Sequence, residues 1–547
     1  MIAKVLVKQK TSKNEVFDYF VGPEINVTPF SIVEVPFRNK KMLGIVLSVD
    51  ERSEKAKKSI LRTLTTGPAL TAEQYKIAQK IADEFISSPS KALFSFLPNL
   101  NIKDLKKITP PIASVKRVKF KKCFVRGSFW ERVNYYIGSD NRDSQSIIII
   151  PEISTINEAA RMYKKISDKK VYTWHSRLSS SSKTQIMNEL MSGRGITIIS
   201  TRHGIFLPFT NLENIFLEQP TNFAHFEDQE PYYNTYKTAR LISQIYRANL
   251  VVGDSLPDLV SFAAIKSKKL ELIDLTGKLS ISISNSFTKL TGDIALLNDL
   301  DQNNDILITG FFKDFYGLIC LECKSSVKCS RCNLTHFSLD KNTCISCRSN
   351  APLICPNCHS ARIVKTGATV LKVQEILNKS ELSNKFEVRD AQELIDLKPK
   401  FNLALIPYFD FYSNFPFISF REKIFRTILG LVNLGVKKVW LFGEDLQNQD
   451  FANQIKQNGW KKFLEEELKN RKISDMPPFK TAIKIEIKNL NKIQTISTAL
   501  SMHSQVINDG NTLFIFVDNN KVKQIARAIK DKLGQDAKVR IDPVEFA

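Results

Sequence analysis

The sequence predicts a multidomain α/β protein that begins with a β-rich domain and carries an inserted metal-binding module. A chain of 547 residues is too long for a single hydrophobic core. From residue 120 onward, short apolar runs alternate with helical stretches, as in a parallel sheet covered by helices on both faces. Eight of the nine cysteines fall between residues 320 and 358, in four Cys-x-x-Cys pairs.

The first 111 residues divide into a β region, a helix and a linker. Residues 3–7, 31–35 and 43–49 are apolar-rich and alternating, which predicts strands. Residues 71–87 predict a helix, because Thr71 suits the N-cap position and apolar residues recur on one face. The sequence then predicts a linker marked by prolines 89, 98, 110 and 111.

Two further regions predict buried parallel strands, since their apolar runs are short and separated by helical patterns. The first region has such runs at residues 147–150, 196–200, 215–217 and 250–253. The second region has them at residues 403–406 and 439–442. A charged helix over 461–472 and a small α+β tail to residue 547 complete the chain.

The four Cys-x-x-Cys pairs predict two zinc ions. Two residues between thiolates let a tight knuckle present both sulfurs to one ion, and two knuckles complete a tetrahedral site. Between the second and third pairs lie eleven residues, a normal length for one zinc ribbon. We therefore assign the inner pairs to one ion: Cys329, Cys332, Cys344 and Cys347. The outer pairs then enclose the other ion: Cys320, Cys323, Cys355 and Cys358.

Other ligand sets and a disulfide cluster are the alternatives to two Cys₄ zinc sites. His336 and His359 lie near the cysteines, although eight thiolates already saturate two ions. The sequence has no run of 18 apolar residues and no secretory signal, so we expect a cytoplasmic protein without a membrane span. A reducing cytoplasm favours zinc over disulfides.

The net charge of the chain predicts a polyanionic partner, most often nucleic acid. Lysine and arginine number 79 against 56 acidic residues, which gives a formal charge of +23. The basic residues are spread along the chain, as suits several contacts to a nucleic-acid backbone. A generally basic proteome is the alternative explanation.

Short strings over nearly the whole chain carry a family resemblance. They include Val16-Phe17-Asp18-Tyr19, Val35-Pro36-Phe37-Arg38-Asn39-Lys40, Ile150-Pro151-Glu152-Ile153-Ser154, His175-Ser176-Arg177-Leu178-Ser179, Ser200-Thr201-Arg202-His203-Gly204 and Val539-Arg540-Ile541-Asp542-Pro543. Together with the cysteine spacing, these strings resemble the PriA family of bacterial replication restart proteins (primosomal protein N′).

The resemblance implies five domains. They are an N-terminal 3′-end DNA-binding domain (1–105), a first degenerate RecA-like helicase lobe (115–295), a double zinc-ribbon module (305–365), a second degenerate lobe (366–460) and an α+β C-terminal domain (461–547). In the family, the first domain captures the 3′ end of a nascent strand at a fork.

The resemblance also implies residues that contact DNA. Phe17 and Tyr19 could stack on the terminal base, and Asp18 could accept hydrogen bonds from a base edge or the free hydroxyl. The alternative for this string is an ordinary strand edge beside core residues. Lys40 and Lys41 would suit phosphates, or else form a solvated turn.

The phosphate-binding loop of the family is missing from this sequence. Members with helicase activity carry a glycine-rich loop ending in Gly-Lys-Thr, whose backbone amides cradle phosphates. Residues 125–132 here read Val-Arg-Gly-Ser-Phe-Trp-Glu-Arg, with one glycine and no lysine. Bulky Phe129 and Trp130 do not permit the close backbone approach that glycine allows.

Two further nucleotide motifs are also degraded. The family's Asp-Glu-Glu-His box corresponds to Leu217-Glu218-Gln219-Pro220, which loses the magnesium-binding aspartate and retains Glu218. The motif whose arginines reach the γ-phosphate corresponds to residues 428–435, which contain no arginine. We therefore expect neither catalytic nor nucleotide-binding residues in this chain.

An aromatic-rich segment, residues 228–236, corresponds to the family loop that couples single-strand binding to ATP hydrolysis. In this chain the segment could still stack bases or could pack as a surface turn.

The resemblance implies a replication restart protein that recognises forked or single-stranded DNA with a free 3′ end and helps to reload the replicative helicase. Its expected partners are other primosome proteins, the replicative helicase loader and single-stranded DNA-binding protein, with no membrane. The alternatives are an active ATP-dependent 3′–5′ helicase and an RNA- or transcription-linked zinc protein.

Overall fold

The structure is a computed structural model of the 547-residue chain. It describes all residues except 9–14, 54, 99, 116–117, 278, 285–304, 312–314, 332–334, 339–340, 345–348, 367–385, 392–393, 395–399, 408, 410–418, 444–445, 489–492, 502–504, 510 and 544–547. The chain forms two compact units. Unit 1 contains residues 1–126, 131–274 and 471–547, and unit 2 contains residues 127–130 and 275–470.

The N-terminal part of unit 1 is a six-stranded sheet in the order β5-β2-β1-β4-β3-β6. Its strands are β1 (Ile2–Val7), β2 (Val16–Phe20), β3 (Ile32–Phe37), β4 (Lys40–Asp50), β5 (Lys58–Ser59) and β6 (Arg62–Thr63). The predicted β-rich start is confirmed, and β2 is a strand that the apolar pattern did not reveal.

The N-terminal sheet curls back on itself, because one short segment pairs with both of its ends. Lys58 pairs with Tyr19 of β2, whereas Arg62 pairs with Glu34 of β3. Between them, the Ile60 amide donates to the Phe20 carbonyl at 2.9 Å. Closure leaves an apolar interior lined by Ala3, Val5, Val7, Tyr19, Val33, Val35, Val46 and Ile60.

Three helices follow the sheet: α1 (Ala72–Glu84), α2 (Pro89–Phe94) and α3 (Ile102–Leu105). Helix α1 begins with a capping box, in which Thr71 accepts from the Gln74 amide and the Gln74 side chain accepts from the Thr71 amide. Part of the predicted linker is helical, because Ser88 caps α2 and Pro89 occupies its first turn, where a missing amide proton costs nothing.

The first α/β lobe is a seven-stranded parallel sheet in the order β13-β7-β12-β11-β8-β10-β9. Its strands are β7 (Lys122–Arg126), β8 (Gln145–Ile149), β9 (Lys170–Trp174), β10 (Ile196–Ser200), β11 (Leu212–Glu218), β12 (Asn249–Asp254) and β13 (Glu271–Asp274). The helices are α4 (Phe129–Ser139), α5 (Ile153–Ile166), α6 (Ser180–Met191), α7 (Thr235–Tyr246) and α8 (Leu259–Lys266). All four predicted strands of this lobe are present.

Unit 2 contains a second parallel sheet in the order β14-β21-β20-β15-β19. Its strands are β14 (Ser280–Ser284), β15 (Ile306–Gly310), β19 (Phe386–Asp390), β20 (Leu403–Ile406) and β21 (Lys438–Phe442). Between β15 and β19 lies a small sheet made of β16 (Phe315–Cys320), β17 (Phe337–Ser338) and β18 (Ile363–Thr366). The helices are α9 (Phe420–Gly430), α10 (Asp450–Lys456) and α11 (Trp460–Ile473).

The C-terminal domain has four antiparallel strands in the order β23-β24-β22-β25, with two helices. The elements are β22 (Lys480–Ile487), α12 (Ile493–Ser501), β23 (Val506–Asp509), β24 (Thr512–Asp518), α13 (Val522–Leu533) and β25 (Ala537–Ile541). Short 3₁₀ helices elsewhere in the chain are Arg202–Phe206, Phe223–His225, Leu431–Leu434, Leu446–Asn448 and Gly534–Asp536. The multidomain α/β class with an α+β tail is therefore confirmed.

Across the residues that the structure describes, no helix is both long enough and apolar enough to cross a bilayer.

The capping box of α1 also ties the helix to the first lobe, because Gln74 Nε2 donates to the Phe206 carbonyl at 2.9 Å. We expect Thr71→Ala to destabilise α1 by about 1–2 kcal/mol, since the Gln74 amide loses its acceptor. Hydrogen exchange of residues 72–84 measures this loss. Thr498→Ala, which removes an exposed hydroxyl inside α12, is the matched control; an equal effect of both substitutions would contradict the assignment.

Candidate functional site

Strand β2 carries the two predicted base contacts Phe17 and Tyr19, of which only Phe17 keeps a partly accessible ring. Phe17 and Tyr19 lie on the same face, since side chains alternate along a strand. The Phe17 ring packs against Phe37 of β3 at 5.1 Å between centroids. Tyr19 is 3% exposed and its hydroxyl donates to the Pro36 carbonyl at 3.4 Å. Burial favours a supporting role for Tyr19, and Phe17 keeps the more accessible ring.

Asp18 lies on the opposite face of β2 from Phe17 and Tyr19. Its carboxylate accepts a short hydrogen bond from the Ser53 hydroxyl. In the register of β1 and β2 it lies opposite Lys4, whose ammonium pairs with Asp50 at 3.0 Å. The strand therefore presents an aromatic contact and a carboxylate on different faces, so their predicted roles in DNA binding concern two separate contacts.

The β3–β4 hairpin tip adds exposed cations next to the Phe17–Phe37 pair. Lys40 and Lys41 are both exposed, as expected for phosphate contacts or a solvated turn. Arg38 and Asn39 adopt φ angles of 42° and 60° and form the turn itself. The Arg38 guanidinium lies 5.4 Å from the centre of the Phe37 ring.

Sequence reasoning missed three residues near the predicted DNA contacts. Phe37 and Arg38 belong to one of the strings that resemble the PriA family, but the contact of Phe37 with Phe17 arises only in the curled sheet. Lys58 is exposed and pairs with Tyr19 in the β2–β5 register. The only signal for Lys58 in the sequence was its place in a Lys-Lys pair.

A buried ion pair fills the region where the family's nucleotide motifs would lie. Glu218 ends β11, and Arg132 lies in the first turn of α4, which follows β7. Each side chain is 1% exposed, and Arg132 Nη2 lies 2.5 Å from Glu218 Oε2. Arg132 Nε also donates to both carboxylate oxygens, at 2.9 and 3.1 Å. The one acidic residue retained from the Asp-Glu-Glu-His box is therefore neutralised by this chain's own guanidinium.

Two neighbouring side chains donate further hydrogen bonds to Glu218. The Tyr136 hydroxyl donates a short hydrogen bond to Oε1. His225 Nε2 lies 2.7 Å from the Glu218 carbonyl, and burial lowers the pKa of His225 to about 4, so the ring is neutral and Nε2 donates. Gly253 permits this packing, because a Cβ there would lie 2.0 Å from the Tyr136 hydroxyl and 2.6 Å from Glu218 Oε1.

Electrostatics keep the Arg132 guanidinium charged. Burial by itself would lower the pKa of Arg132, but the adjacent Glu218 carboxylate raises it above its ordinary value. Burial and the same carboxylate raise the pKa of Tyr136 well above its usual range, so its hydroxyl remains a donor. The geometry therefore suits a permanent structural pair.

A second buried arginine lies at the end of β7, within residues 125–132. Arg126 ends β7 and is 2% exposed. Its Nε donates to the Ser255 carbonyl at 2.9 Å, and its Nη1 lies 3.1–3.2 Å from both Asp274 carboxylate oxygens. The Arg126 guanidinium is therefore engaged by the Ser255 carbonyl and the Asp274 carboxylate, and it is not free to bind a phosphate.

The four outer cysteines converge in unit 2. The sulfurs of Cys320, Cys323, Cys355 and Cys358 all lie within 4.8 Å of one another. The Sγ atoms of Cys320 and Cys358 are 3.4 Å apart, and those of Cys323 and Cys355 are 3.7 Å apart. Four thiolates at about 2.3 Å from a tetrahedral zinc ion lie about 3.8 Å from one another. The four residues therefore fit one metal ion of this kind.

Local structure explains why the outer thiols meet. Strand β16 ends at Cys320, and β18 pairs Ile363 with Cys320, which brings the fourth knuckle beside the first. The Cys323 sulfur lies 2.9 Å from the Ser325 hydroxyl, and hydrogen bonds from Ser325 lower the pKa of Cys323 to about 6. A thiol with this pKa readily provides the thiolate that binds metal.

The inner site is described only in part. Cys329 and Cys344 are buried, with the Cys329 sulfur 3.0 Å from the Ser349 hydroxyl. Cys332 and Cys347 lie outside the described residues. Of the two histidines near the cysteines, His336 is buried and lies 3.1 Å from the Thr335 hydroxyl through Nδ1. The inner Cys₄ set remains a prediction.

Removing the charge of Glu218 should leave Arg132 buried without a counter-ion. We expect Glu218→Gln to destabilise the first lobe by about 3–5 kcal/mol, the usual cost of breaking one side of a buried pair. Hydrogen exchange of α4 and β11 measures the change. The double variant Arg132→Met/Glu218→Leu buries no charge and should recover most of the protection. Unchanged exchange in Glu218→Gln would contradict the structural role of the pair.

The N-terminal domain matches a known domain family. Residues 4–98 match the PriA 3′DNA-binding domain family (3′BD). The replication restart protein PriA of Helicobacter pylori is 25% identical over 389 residues, which cover 64% of this chain and 62% of that protein. The match therefore spans less than two thirds of the length of the Helicobacter protein.

Other relatives match over longer stretches. The replication restart protein PriA of Borreliella burgdorferi is 22% identical over 529 residues, covering 81% of this chain and 78% of its own length. The Rickettsia conorii protein is 21% identical over 582 residues, covering 92% and 89%. A solved structure of RecG bound to a three-way DNA junction covers 74% of this chain and 47% of RecG, with a TM-score of 0.37 and 11% identity. Residues 4–98 thus match the PriA 3′DNA-binding domain family, and the chain is similar over most of its length to replication restart proteins named PriA.

Proposed function

We propose that this protein recognises branched DNA with a free 3′ end during replication restart, and that it does so without ATP-driven translocation. The match of residues 4–98 to the 3′DNA-binding domain family carries the proposal. The aromatic pair and the basic hairpin tip of that domain supply the chemistry.

The N-terminal domain has the groups that a strand end requires. The Phe17 ring can stack on a terminal base, since base–aromatic stacking contributes roughly 1–3 kcal/mol per base. Arg38, Lys40 and Lys41 lie at the adjacent hairpin tip and can pair with phosphates. Asp18, on the other face, is a hydrogen-bond acceptor for a hydroxyl or a base edge. The net charge of +23 supports further phosphate contacts along the chain.

The filled nucleotide region supports the lack of ATP hydrolysis. Phosphoryl transfer needs backbone amides, a lysine and a metal-binding carboxylate at the phosphates. Residues 125–132 supply neither the glycines nor the lysine, and Glu218 is engaged by Arg132 and Tyr136. The two α/β lobes would then hold DNA arms rather than translocate along them.

The cysteine module completes the proposal. Two Zn²⁺ ions would be held, one by the outer and one by the inner cysteines, and each would stabilise the fold of the module. When bound, such ions serve as structural links between distant segments. The rigid module would offer a surface to DNA and to other primosome proteins, the replicative helicase loader and single-stranded DNA-binding protein, and so help to reload the replicative helicase.

The DNA-end hypothesis is tested by binding to a fork whose 3′ end is free or blocked by a 3′-phosphate. We expect tighter binding to the free end, and roughly a 5- to 100-fold loss of affinity in Phe17→Ala because one base loses its stacking partner. Val16→Ala is the control, since this exposed neighbour lies on the other face of β2. Equal affinity for free end, blocked end and blunt duplex would refute the proposal.

ATP hydrolysis by the metal-loaded protein, measured with the fork demonstrably bound, addresses the alternative functions. Turnover stimulated by DNA would favour an active 3′–5′ helicase with a nucleotide site outside residues 125–132. Tighter binding to structured RNA than to the fork would favour the RNA- or transcription-linked zinc protein.

Zinc content tests the metal proposal. We expect two zinc ions per chain by elemental analysis, and one in the double variant Cys320→Ser/Cys358→Ser. Because a structural zinc ion stabilises small peptides by roughly 10–16 kcal/mol, the variant should lose hydrogen-exchange protection in β16 and β18. Cys123→Ser, at the lone cysteine of the first lobe, should retain both ions. Two ions in the double variant would contradict the assignment of the outer cysteines.

A further inference from the structure

Glu230, in the aromatic-rich segment of residues 228–236, is a meeting point of three domains within unit 1. Its Oε2 lies 2.7 Å from Lys91 Nζ of α2, in the N-terminal part of the chain. Its Oε1 accepts from the Ser88 backbone amide at 2.9 Å. The same oxygen lies 3.1 Å from Lys530 Nζ of α13, in the C-terminal domain. One carboxylate of the first lobe therefore binds cations from both flanking domains.

The environment of Glu230 strengthens these contacts. Its side chain is 15% exposed, so the charges interact with less screening than a surface pair. Burial alone would raise the pKa of Glu230, but the Lys91 and Lys530 ammonium groups and the Ser88 amide lower it overall. The carboxylate is therefore ionised near neutral pH.

Tyr232 makes a second contact between the same segment and the C-terminal domain. Two cations of β25 lie over its ring, Lys538 Nζ at 5.1 Å and Arg540 Cζ at 5.6 Å. Arg540 Nη1 also donates to Asp228 at 2.9 Å. Tyr232 has a φ of 47°, an uncommon conformation for a bulky residue.

The other aromatic residues of the segment face the interior of the first lobe. Tyr233 is 1% exposed and packs against Phe206 with 4.8 Å between ring centroids. The Tyr236 hydroxyl lies 3.1 Å from the Ser261 hydroxyl, beside α8. Rings engaged in this way do not offer free faces to bases.

The N-terminal and C-terminal parts also touch directly beside Glu230. Asp83 of α1 pairs with Lys523 at 2.7 Å and accepts a short hydrogen bond from Arg527. Lys530 Nζ donates to the Ile86 carbonyl at 2.6 Å. The Ile86 side chain belongs to the apolar core of the C-terminal domain. Helix α13 is thus held by the segment after α1 and by Glu230 at the same time.

We propose that residues 228–236 are a docking segment that fixes the DNA-end domain and the C-terminal domain to the first lobe, with Glu230 and Tyr232 as positioning residues rather than DNA contacts. The part of this inference that concerns DNA rests on the proposed function. A fork presents its 3′ end and its duplex arms at a set spacing, so binding all of them requires domains held at a matching spacing. A plain 3′ overhang requires only the N-terminal site.

The test compares Glu230→Gln with the parent in two measurements on the full, zinc-loaded chain. Hydrogen exchange reports docking without DNA: we expect about tenfold faster exchange in α2 and α13, because Lys91 and Lys530 lose their shared counter-ion. Affinity for a fork should fall about tenfold, while affinity for a single-stranded 3′ overhang should not change. General destabilisation would instead weaken binding to both DNAs alike.

Glu189→Gln is the matched control. Glu189 is 13% exposed and pairs with two cations, Lys170 at 2.9 Å and Arg194 at 3.3 Å, but all three residues belong to the first lobe. This variant should leave both the exchange of α13 and the ratio of fork to overhang affinity unchanged. In addition, Lys91→Met should produce little further effect in the Glu230→Gln background, because the two changes remove one shared contact.

Tyr232→Ala separates docking from base stacking. Docking predicts faster exchange in β25 and unchanged affinity for the single-stranded overhang. Base stacking predicts a clear loss of that affinity with unchanged exchange, and this result would overturn the inference. Unchanged exchange of α13 in Glu230→Gln would overturn it as well. If the parent protein fails to distinguish a free from a blocked 3′ end, the proposed function falls, whereas the exchange data still decide the docking role.

Discussion

A charge that is removed from water has to be matched by an opposite charge or by hydrogen bonds. This constraint determines how the buried carboxylates of unit 1 are paired. Three carboxylates of the first lobe satisfy it in different ways. Glu218 is enclosed by Arg132 and Tyr136 beneath the degraded nucleotide motifs. Asp140 accepts from Lys169 at 2.6 Å and from the Thr197 hydroxyl at 2.5 Å near the amino ends of the strands. Glu230 forms ion pairs with lysines of two other domains.

The Arg132–Glu218 pair places a buried, charge-balanced contact at one edge of the first lobe. The parallel sheet brings the carboxyl ends of β7, β11 and β12 to this edge, where open α/β sheets commonly bind ligands. An arginine from the following helix now occupies this edge, and Gly253 leaves room for the tyrosine that supports it. Buried, paired side chains therefore fill this edge of the lobe.

The candidate DNA contacts and the contacts between domains lie in neighbouring parts of the N-terminal region. The curled sheet places Phe17, Phe37 and Arg38 at its hairpin end, and the helices after the sheet face the first lobe and the C-terminal domain. Contacts through Asp83, Ser88 and Lys91 then connect this region to residues that are hundreds of positions away in the sequence. The two sets of contacts therefore involve different residues of the same region.

The sequence by itself determined the features that depend on local pattern. Alternation and apolar runs predicted the strands of the parallel sheets, Thr71 predicted the start of α1, and the Cys-x-x-Cys spacing predicted that knuckles would share metal ions. Only the tertiary structure decided which distant groups meet. It placed Phe37 on Phe17, buried Tyr19, paired Arg132 with Glu218 and joined Glu230 to Lys91 and Lys530. These contacts join residues between 20 and 300 positions apart along the chain. Local propensity carries no information about such pairs, because their energies arise only once the chain has folded.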